Sequence, residues 1–323
     1  MGMNRRGRKT KRVYRGNNFV LIVILIAVVF LVTLIIGQSE KTILSLKQGD
    51  TRVFVLNQEE FLSEKGIQSA NALLIRLKDG KVLLDLNSEE RVYPASITKI
   101  MTALVAIEKM GDPNDRCVVD LEIFEPLRVR NASMAGFLPE EIVTVEDLLY
   151  GCLLPSGADA SVSLAIHIAG SEADFVDMMN EKAMEIGMKD TKFRNVTGLH
   201  DPTHYTTMQD IAVMVRYALE NTKFKEIFTA EQYTTGATYQ HPKGLTFYSP
   251  LNTSHEGMVT FPGGTMLGGK TGYTGEAGLC LASFAEKNGR EYLLITAGAK
   301  GTVRGEPLHI NDAVKIYGDY IIR

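Results

Sequence analysis

Three short motifs occur in order along this chain of 323 residues, and together they constrain its fold more than any other feature. A Ser-x-x-Lys motif at 96–99 comes first, Ser156-Gly157-Ala158 follows, and Lys270-Thr271-Gly272 comes last. A serine and a lysine one helical turn apart, a second serine in a loop and a Lys-Thr-Gly strand are the parts of an acyl-transfer site. One such motif arises by chance in an ordinary chain. The ordered trio predicts one site built from three distant segments.

The N-terminal region predicts a membrane anchor. Residues 1–18 carry seven Lys or Arg and no acid, so the rest of a chain with net charge −3 must carry −10. Residues 19–36 are uncharged and apolar apart from Thr33. As a helix this run is about 27 Å long, close to the hydrocarbon thickness of a bilayer. Cations before it and none just after it predict a single-pass protein in the cell membrane, with a cytoplasmic N-terminus and an extracytoplasmic catalytic domain.

A signal peptide and a buried helix account for this run less well than an anchor does. The apolar run is too long for a cleavable signal peptide, and residues 37–40 offer no Ala-x-Ala-like cleavage site. A buried helix of a soluble protein does not account for the flanking charge. Because the anchor explains the basic tail, no nucleic-acid partner is predicted.

Composition shifts divide the chain into four parts. These are a cytoplasmic tail at 1–18, the transmembrane anchor at 19–36, a juxtamembrane segment at 37–69 and a catalytic domain at 70–323. The juxtamembrane segment contains one run typical of a strand, Thr51 to Leu56.

Hydrophobic periodicity predicts a hairpin, a block of helices, then strands and a last helix. The hairpin joins 72–77 to 81–86 through Asp79-Gly80. Helices are predicted over 96–110, 144–154, 159–169, 173–186, 207–220 and 309–322, and strands over 270–272, 278–285 and 291–297. This order indicates an α+β fold with an antiparallel sheet.

The cysteines and histidines indicate no further chemistry. Cys117, Cys152 and Cys280 are far apart, and the last two lie in apolar stretches, so buried small side chains are favoured over disulfides or nucleophiles. His200 and His204 are four residues apart, but Asp201-Pro202 between them disfavours a continuous helix. No metal site is predicted.

Ser96 and Lys99 have the arrangement of a nucleophile and its base. Pro94-Ala95 precede the serine, so the helix begins near Ser96, where the helix N-terminus favours a developing negative charge. Lys99 lies on the same helix face, and burial would lower its pKa enough for it to act as a base. A capping serine with a solvated lysine is the alternative, but the helix is otherwise strongly apolar.

The Lys-Thr-Gly segment is suited to a substrate peptide and its carboxylate. Glycines in a strand mark close approach by a ligand or another backbone. They would let a substrate peptide lie along this edge as an added strand. Lys270 supplies positive charge and Thr271 a hydroxyl, while Gly272 leaves room for the peptide. The backbone amides of Ser96 and Tyr273 are candidate oxyanion donors.

The chain resembles the serine D-alanyl-D-alanine carboxypeptidases, the low-molecular-mass penicillin-binding proteins, over about residues 70–323. Beyond the trio, the resemblance rests on these segments: 91–103, 143–151, Asn180-Glu181-Lys182-Ala183, Asn195-Val196-Thr197-Gly198-Leu199, His204-Tyr205-Thr206-Thr207 and 269–278. It implies a penicillin-binding, β-lactamase-like fold with an all-helical region. It also implies attack by Ser96 on the D-Ala–D-Ala bond of peptidoglycan pentapeptide stems, covalent inhibition by β-lactams, and no cofactor.

The resemblance also assigns roles to the other motif residues. Lys99 would be the base, Ser156 and Lys270 would shuttle protons and position groups, and Thr271 would bind the carboxylate. A further basic residue near the end of the strand after the motif strand, a role that Lys300 or Arg304 would fill, would assist substrate binding. The second motif of the family ends in Asn, whereas Ala158 stands here and Asp159 follows it. One polar contact to the lysine and the substrate is therefore missing.

Two alternative functions remain at this point. A serine β-lactamase would need a carboxylate base, and the only acid between Asn195 and Thr207 is Asp201. A penicillin sensor or a degenerate, non-catalytic peptidoglycan-binding module is favoured only by Ala158.

Overall fold

The structure is a computed structural model that describes residue 62, residues 65–252 and residues 257–321. All of them belong to one unit that begins at Gln58. The predicted basic tail, membrane anchor and strand at 51–56 lie outside the described residues. Within those residues, none of the helices combines the length and the hydropathy that a bilayer crossing requires.

Six strands form an antiparallel sheet at the centre of the fold. They are β1 (Asn71–Arg76), β2 (Lys81–Leu86), β7 (Thr260–Phe261), β8 (Gly264–Thr274), β9 (Gly278–Lys287) and β10 (Arg290–Ala299). Their order across the sheet is β2-β1-β10-β9-β8-β7. Two short ribbons lie apart from it: β3 (Arg116–Val118) with β4 (Ile142–Thr144), and β5 (Gln232–Thr234) with β6 (Thr246–Tyr248). The α+β class and the antiparallel sheet are as predicted.

Most of the helices lie between β2 and β7 in the chain. They are α1 (Thr98–Lys109), α2 (Phe124–Val129), α3 (Val145–Leu153), α4 (Ala158–Ala169), α5 (Glu172–Ile186), α6 (Met208–Glu220), α7 (Thr222–Phe228) and α8 (Leu308–Lys315). Helix α1 is central to this group, because it contacts each of α3 to α7. Its apolar residues are accordingly buried on all sides.

The sheet separates two hydrophobic cores, and strand alternation divides the side chains between them. In β1, Leu73 and Ile75 join the core shared with α1, whereas Ala72 and Leu74 join the core under α8. Helix α6 covers the first face of β1 and β10, and α8 covers the other face of β9 and β10. The sheet is therefore a middle layer with helices on both sides.

The chain before β1 is also part of this unit, although the juxtamembrane prediction extended to residue 69. The carboxylate of Asp312 in α8 accepts hydrogen bonds from the Gln68 amide at 3.0 Å and from the Ser69 amide and hydroxyl at 2.8 and 2.7 Å. A fully buried carboxylate needs such donors. Leu62 packs in the core under α8. The folded unit thus includes residues before 70.

Local signals placed most elements correctly. The predicted hairpin is confirmed to within one residue, as are the helices that end at Leu153, Ala169 and Ile186. Thr144 caps α3 in a capping box with Asp147, and Gly187 ends α5 with φ of +91°. The last helix was predicted too long, because α8 gives way at Ile316 to a π-helical turn that ends at Tyr320.

Candidate active site

The serine of the first motif lies in a strained turn that leads directly into α1. Ser96 is the middle residue of the 3₁₀ turn Ala95–Ile97. Ala95 has φ of +46°, a left-handed conformation that costs a non-glycine residue about 1–3 kcal/mol. Two glycines pack closely against this turn. A Cβ on Gly198 would lie 1.8 Å from the Ala95 carbonyl oxygen, and one on Gly272 would lie 3.0 Å from the Ser96 amide nitrogen.

Lys99 lies one turn further on, and its amine reaches back to the serine. Its Nζ donates hydrogen bonds to Ser96 Oγ at 3.1 Å and to the Thr197 carbonyl oxygen at 2.7 Å. The residue is 2% exposed. Burial lowers the pKa of Lys99 from 10.5 to about 8. A neutral amine that can accept a proton from Ser96 is therefore accessible near physiological pH.

Lys270 of β8 is a second buried amine near the first. Its Nζ donates to the Thr271 carbonyl oxygen at 2.9 Å, and the residue is fully buried. Burial lowers the pKa of Lys270 well below its usual range, and the positive charge of Lys99 lowers it further. Two buried lysines that repel each other favour a neutral amine in the site.

Ser156 occupies the turn between α3 and α4 in an unusual conformation. Its φ is +63°, and its Oγ is buried without a hydrogen-bond partner within the described part of the chain. A buried hydroxyl without a partner is unfavourable, so it marks a place where a ligand or a reacting group would be satisfied. The structure supplies no contact from Ser156 to Ser96 or Lys99 that would fix its role.

The third motif lies along an open edge of the sheet. Strand β7 pairs with β8 only at Thr265 and Gly264, so Lys270 to Thr274 have no strand on their outer side among the described residues. On the inner side, Gly272 pairs with Cys280 of β9. Since Gly272 also meets the Ser96 amide, the free edge begins beside the nucleophile. Such an edge can accept a peptide as an additional strand.

The residues after Ser156 fix a loop beside the site. Ala158 donates its amide hydrogen to the Ser133 carbonyl oxygen at 2.7 Å. The carboxylate of Asp159 accepts from the amides of Ala135, Gly136 and Phe137 at 2.7, 3.0 and 3.2 Å. Burial raises the pKa of Asp159, and these amide hydrogen bonds oppose the rise. Sequence reasoning noted Asp159 only as the neighbour of Ala158, whereas the structure makes it the anchor of the 133–137 loop.

Cys152 of α3 lies beside Lys99 and is a buried thiol, as predicted. Its Sγ lies 3.8 Å from the Lys99 carbonyl oxygen and accepts a hydrogen bond from Ser161 Oγ at 3.3 Å. Burial raises the pKa of Cys152, although the nearby lysines oppose the rise. All three cysteines are free and buried, so they serve as packing groups.

His204 connects the 195–207 loop to the start of α1. Its Nε2 is 3.1 Å from Thr98 Oγ1, and its ring packs edge-on against Phe193. Burial lowers the pKa of His204 to about 4, so the ring is neutral at physiological pH. The sequence pointed to His204 through the family resemblance, and no metal-binding or catalytic pattern includes it.

Arg304, the predicted additional substrate-binding cation, lies away from these contacts. It sits in an exposed turn between β10 and α8, and its side chain makes no hydrogen bond or ion pair within the described residues. The strand register places this turn at the end of the sheet where Tyr273 lies, since Ala299 pairs with Leu279 and Leu279 with Tyr273. A role for Arg304 stays a prediction, as does the oxyanion role of the Tyr273 amide.

The Thr197 carbonyl is the site group that sequence reasoning missed. It is a backbone atom, so no residue type announces it. The run from Asn195 to Leu199 does contain Asn, Thr and Gly, which are typical of tight turns. That composition predicts a turn but not its contact with Lys99. Among the described residues, no cluster of His, Cys, Asp and Glu has an arrangement that would bind a metal ion.

Comparisons with known proteins show which family the chain belongs to. The model of the D-alanyl-D-alanine carboxypeptidase family, Peptidase_S11, matches residues 58–301. The chain is 37% identical over 240 residues to the D-alanyl-D-alanine carboxypeptidase DacF of Bacillus subtilis. The matched region covers 73% of this chain and 59% of DacF. It is 26% identical over 274 residues to the D-alanyl-D-alanine carboxypeptidase DacC of Escherichia coli, and this match covers 81% of this chain and 66% of DacC. The chain therefore spans about three fifths to two thirds of these relatives.

Solved structures give the same result. The Streptomyces K15 DD-transpeptidase superimposes with a TM-score of 0.68 at 26% identity, covering 79% of this chain and 97% of that chain. A D-alanyl-D-alanine carboxypeptidase from Mycobacterium tuberculosis superimposes with a TM-score of 0.67 at 26% identity, and the match covers 78% of this chain and 90% of that chain.

Proposed function

The chain belongs to the D-alanyl-D-alanine carboxypeptidase family, Peptidase_S11, and on that basis we propose that it removes the terminal D-alanine from peptidoglycan stem peptides through a Ser96 acyl-enzyme. The observation that carries this proposal is the 3.1 Å hydrogen bond from Lys99 Nζ to Ser96 Oγ. It joins a nucleophile to a buried amine in the arrangement that activated nucleophiles require. No metal or organic cofactor takes part in the proposed reaction.

Acylation begins with proton transfer from Ser96 Oγ to the neutral amine of Lys99. The oxygen attacks the carbonyl carbon of the D-Ala–D-Ala bond, and the amides of Ser96 and Tyr273 stabilise the oxyanion. The C–N bond then breaks. The departing D-alanine amine receives the proton by way of Ser156, whose buried hydroxyl has no other partner within the described residues.

Deacylation reverses these roles with water as the nucleophile. Water gives a proton to Lys99 and attacks the ester carbonyl. The bond to Ser96 Oγ breaks, and the oxygen recovers the proton. The peptide leaves one residue shorter, with a new carboxylate. A β-lactam acylates Ser96 in the same manner and is a covalent inhibitor.

The substrate lies along the free edge of β8 in this proposal. Thr271 and Lys270 bind the terminal carboxylate, and Gly272 permits close approach of the peptide backbone. Arg304 adds positive charge at the same end of the sheet. The open edge beside the nucleophile supports this placement.

The 195–207 loop favours a carboxypeptidase over a serine β-lactamase. A carbonyl oxygen, that of Thr197, meets Lys99 there. The only acid in the loop, Asp201, accepts hydrogen bonds from the amide and the hydroxyl of Thr203, each at 2.7 Å. These bonds hold the pKa of Asp201 below its usual range. Its carboxylate therefore closes a local turn and does not activate a deacylating water. The hydrogen bond between Lys99 and Ser96 likewise favours an enzyme over a non-catalytic peptidoglycan-binding module.

The same proposal places the protein in the cell membrane. Seven cations before the apolar run at 19–36 support a cytoplasmic N-terminus, an anchor in the membrane and a catalytic domain outside. The full chain should sediment with membranes and resist extraction by high salt and by alkaline carbonate. Release by salt alone would contradict the anchor.

Intact-mass measurement with benzylpenicillin tests the catalytic proposal. The full chain in mild detergent should gain one adduct that persists, and Ser96→Ala should gain none. Ser69→Ala is the matched control, because the Ser69 hydroxyl bonds Asp312 of α8, on the face of the sheet that lies away from α1. Rapid loss of the adduct would indicate β-lactamase turnover. An adduct that survives in Ser96→Ala, or the lack of any adduct in the native chain, would contradict the proposal.

A further inference from the structure

Lys99 has one fixed hydrogen-bond acceptor. Within the described residues its amine donates hydrogen bonds only to Ser96 Oγ and the Thr197 carbonyl oxygen. The first of these is the attacking atom, which moves during the reaction. The second is part of the protein backbone and stays in place. The direction of the amine therefore depends on what holds the Thr197 carbonyl.

One side chain, that of Asn195, holds it. Its Oδ1 accepts hydrogen bonds from the amide and the hydroxyl of Thr197, at 3.1 and 3.0 Å, and from the Gly198 amide at 2.7 Å. Its Nδ2 donates to the Leu199 carbonyl oxygen at 2.8 Å. Asn195 is 8% exposed, so these bonds face little competition from water. The turn from 195 to 199 closes on this one amide group.

The turn is attached to the catalytic helix on both sides of the Thr197 carbonyl. Thr102 of α1 donates its hydroxyl hydrogen to the Val196 carbonyl oxygen at 2.7 Å. Gly198, with φ of +79°, lies so close to the Ala95 carbonyl oxygen that only glycine fits. Asn195 holds the backbone between these two attachments. Without it, the carbonyl would be free to rotate away from Lys99.

We infer that Asn195 is a positioning residue of the proposed reaction, which holds the Thr197 carbonyl so that the Lys99 amine is directed at Ser96 Oγ. This inference rests on the proposed function. Asn195 touches neither the nucleophile nor the amine, and it acts through the backbone. The carbonyl also accepts a hydrogen bond from the ammonium that forms during acylation, so it favours the charged state of Lys99.

Other charged or titratable groups also face Lys99 and define the background for a pH measurement. Lys270 approaches from β8, Cys152 from α3 and Asp159 from α4. Glu172 of α5 accepts a hydrogen bond from the Val196 amide at 3.1 Å, beside the turn. None of these residues is altered by a substitution at Asn195.

Two substitutions at Asn195 have opposite expected effects on pH dependence. Asn195→Ala frees the carbonyl, so the charged form of Lys99 is less stabilised and the acidic limb of the acylation rate shifts to lower pH. The plateau rate should fall at least about tenfold, because displacing a reacting group by about 1 Å can cost about a hundredfold in rate. Asn195→Asp keeps the acceptor oxygen but introduces a negative charge near Lys99. Its acidic limb should shift to higher pH.

The experiment is the second-order acylation rate of the full chain by benzylpenicillin between pH 6 and 10. Asn221→Ala is the control, because Asn221 Oδ1 also accepts from two backbone amides, those of Lys223 and Phe224, but caps α7 away from the site. In D-alanine release, the Asn195 variants should lose kcat with little change in KM, since the hydrogen bonds of Asn195 all go to its own turn.

The outcomes separate this inference from the proposed function. Suppose that the native chain is acylated, and that both folded Asn195 variants keep its acylation rate within twofold and the acidic limb of that rate at the same pH. The inference about Asn195 is then wrong, and the proposed function stands. If the native chain itself is not acylated, the proposed function fails first. Asn195→Asp is nearly isosteric, so it provides a readout even where Asn195→Ala does not fold.

Discussion

At the scale of single residues, Lys99 combines a proposed catalytic role with a cost to stability. A lysine amine is strongly hydrated, and α1 buries it beside Lys270 with only two hydrogen-bond acceptors in the described part of the chain. The neutral amine that catalysis needs is produced by the same desolvation that disfavours the folded state. Function and stability therefore oppose each other at this position.

Lys99→Met should stabilise the fold and abolish acylation. The pKa of Lys99 falls from 10.5 to about 8 on folding, which corresponds to about 3 kcal/mol of lost stability at pH 7. The Thr197 carbonyl loses its partner in the variant, so a net gain of about 1–2 kcal/mol is expected. Urea unfolding at pH 7 measures it.

The sign of the pH dependence provides a second check on Lys99. The unfolded chain binds more protons than the folded chain between about pH 8 and 10.5, so the native protein regains stability as the pH rises through that window. The advantage of Lys99→Met should therefore shrink towards pH 10.5. A variant that is less stable than the native chain at pH 7 would contradict this account of the site.

At the scale of elements, close approach of backbones assembles the site. The turn before α1 lies between the 195–199 turn and β8, and a glycine makes the close approach at each contact. The contact at Gly198 is the tighter of the two. It fixes where α1 begins and therefore where Ser96 and Lys99 point.

Gly198→Ala and Gly170→Ala separate backbone strain from steric clash. Both glycines have a left-handed φ, of +79° and +82°, but only at Gly198 would the new Cβ meet another atom, 1.8 Å from the Ala95 carbonyl oxygen. Gly170→Ala should cost about 1–2 kcal/mol and leave acylation unchanged. Gly198→Ala should cost more, about 3 kcal/mol or above, and slow acylation strongly. Thermal unfolding and penicillin acylation measure the two effects. Equal losses for the two variants would exclude the clash.

At the scale of the whole molecule, two buried histidines lie in different layers. His204 is in the helical region against Thr98, and His309 is in α8 on the other side of the sheet. Burial lowers the pKa of each to about 4. Each ring is therefore neutral in the folded protein at physiological pH, whereas an exposed histidine titrates near pH 6.5.

The protein should lose stability as the pH falls from about 6.5 to about 4. In that window the unfolded chain binds more protons, and each histidine lowers the unfolding free energy by up to about 3 kcal/mol. His309→Gln should remove part of this loss of stability at low pH and leave the acylation rate at pH 7 unchanged. His204→Gln should remove another part of the loss of stability and should also slow acylation, because His204 contacts Thr98 at the start of α1. Unfolding free energies at pH 7 and pH 4.5 measure both. The prediction is wrong if both variants keep the native pH dependence.

Sequence reasoning predicted the parts of this molecule that local patterns determine. The hairpin around Asp79-Gly80, the capped start of α3 at Thr144 and the end of α5 at Gly187 follow from turn and capping chemistry. The three-residue strands β3 to β6 were missed, because they are too short for an alternation to appear. The start of α1 is a 3₁₀ turn, which reflects tertiary packing against Gly198 and Gly272.

The candidate site was predicted in the same uneven way. Side chains with a motif, namely Ser96, Lys99 and Lys270, were identified, and the structure places Ser96 and Lys99 in contact. The Thr197 carbonyl and its support by Asn195 were not identified, since a backbone acceptor depends on how a distant loop folds. Asp159 was likewise seen only as a neighbour, because its three amide partners lie about two dozen residues away in sequence.

Release of D-alanine tests the central claim most directly. The full chain is incubated with a peptide that ends in D-Ala-D-Ala and with a second peptide whose last residue is L-alanine, and the free alanine is quantified. The account predicts D-alanine from the first peptide only, with no release by Ser96→Ala. No release by the native chain, or undiminished release by Ser96→Ala, would contradict it.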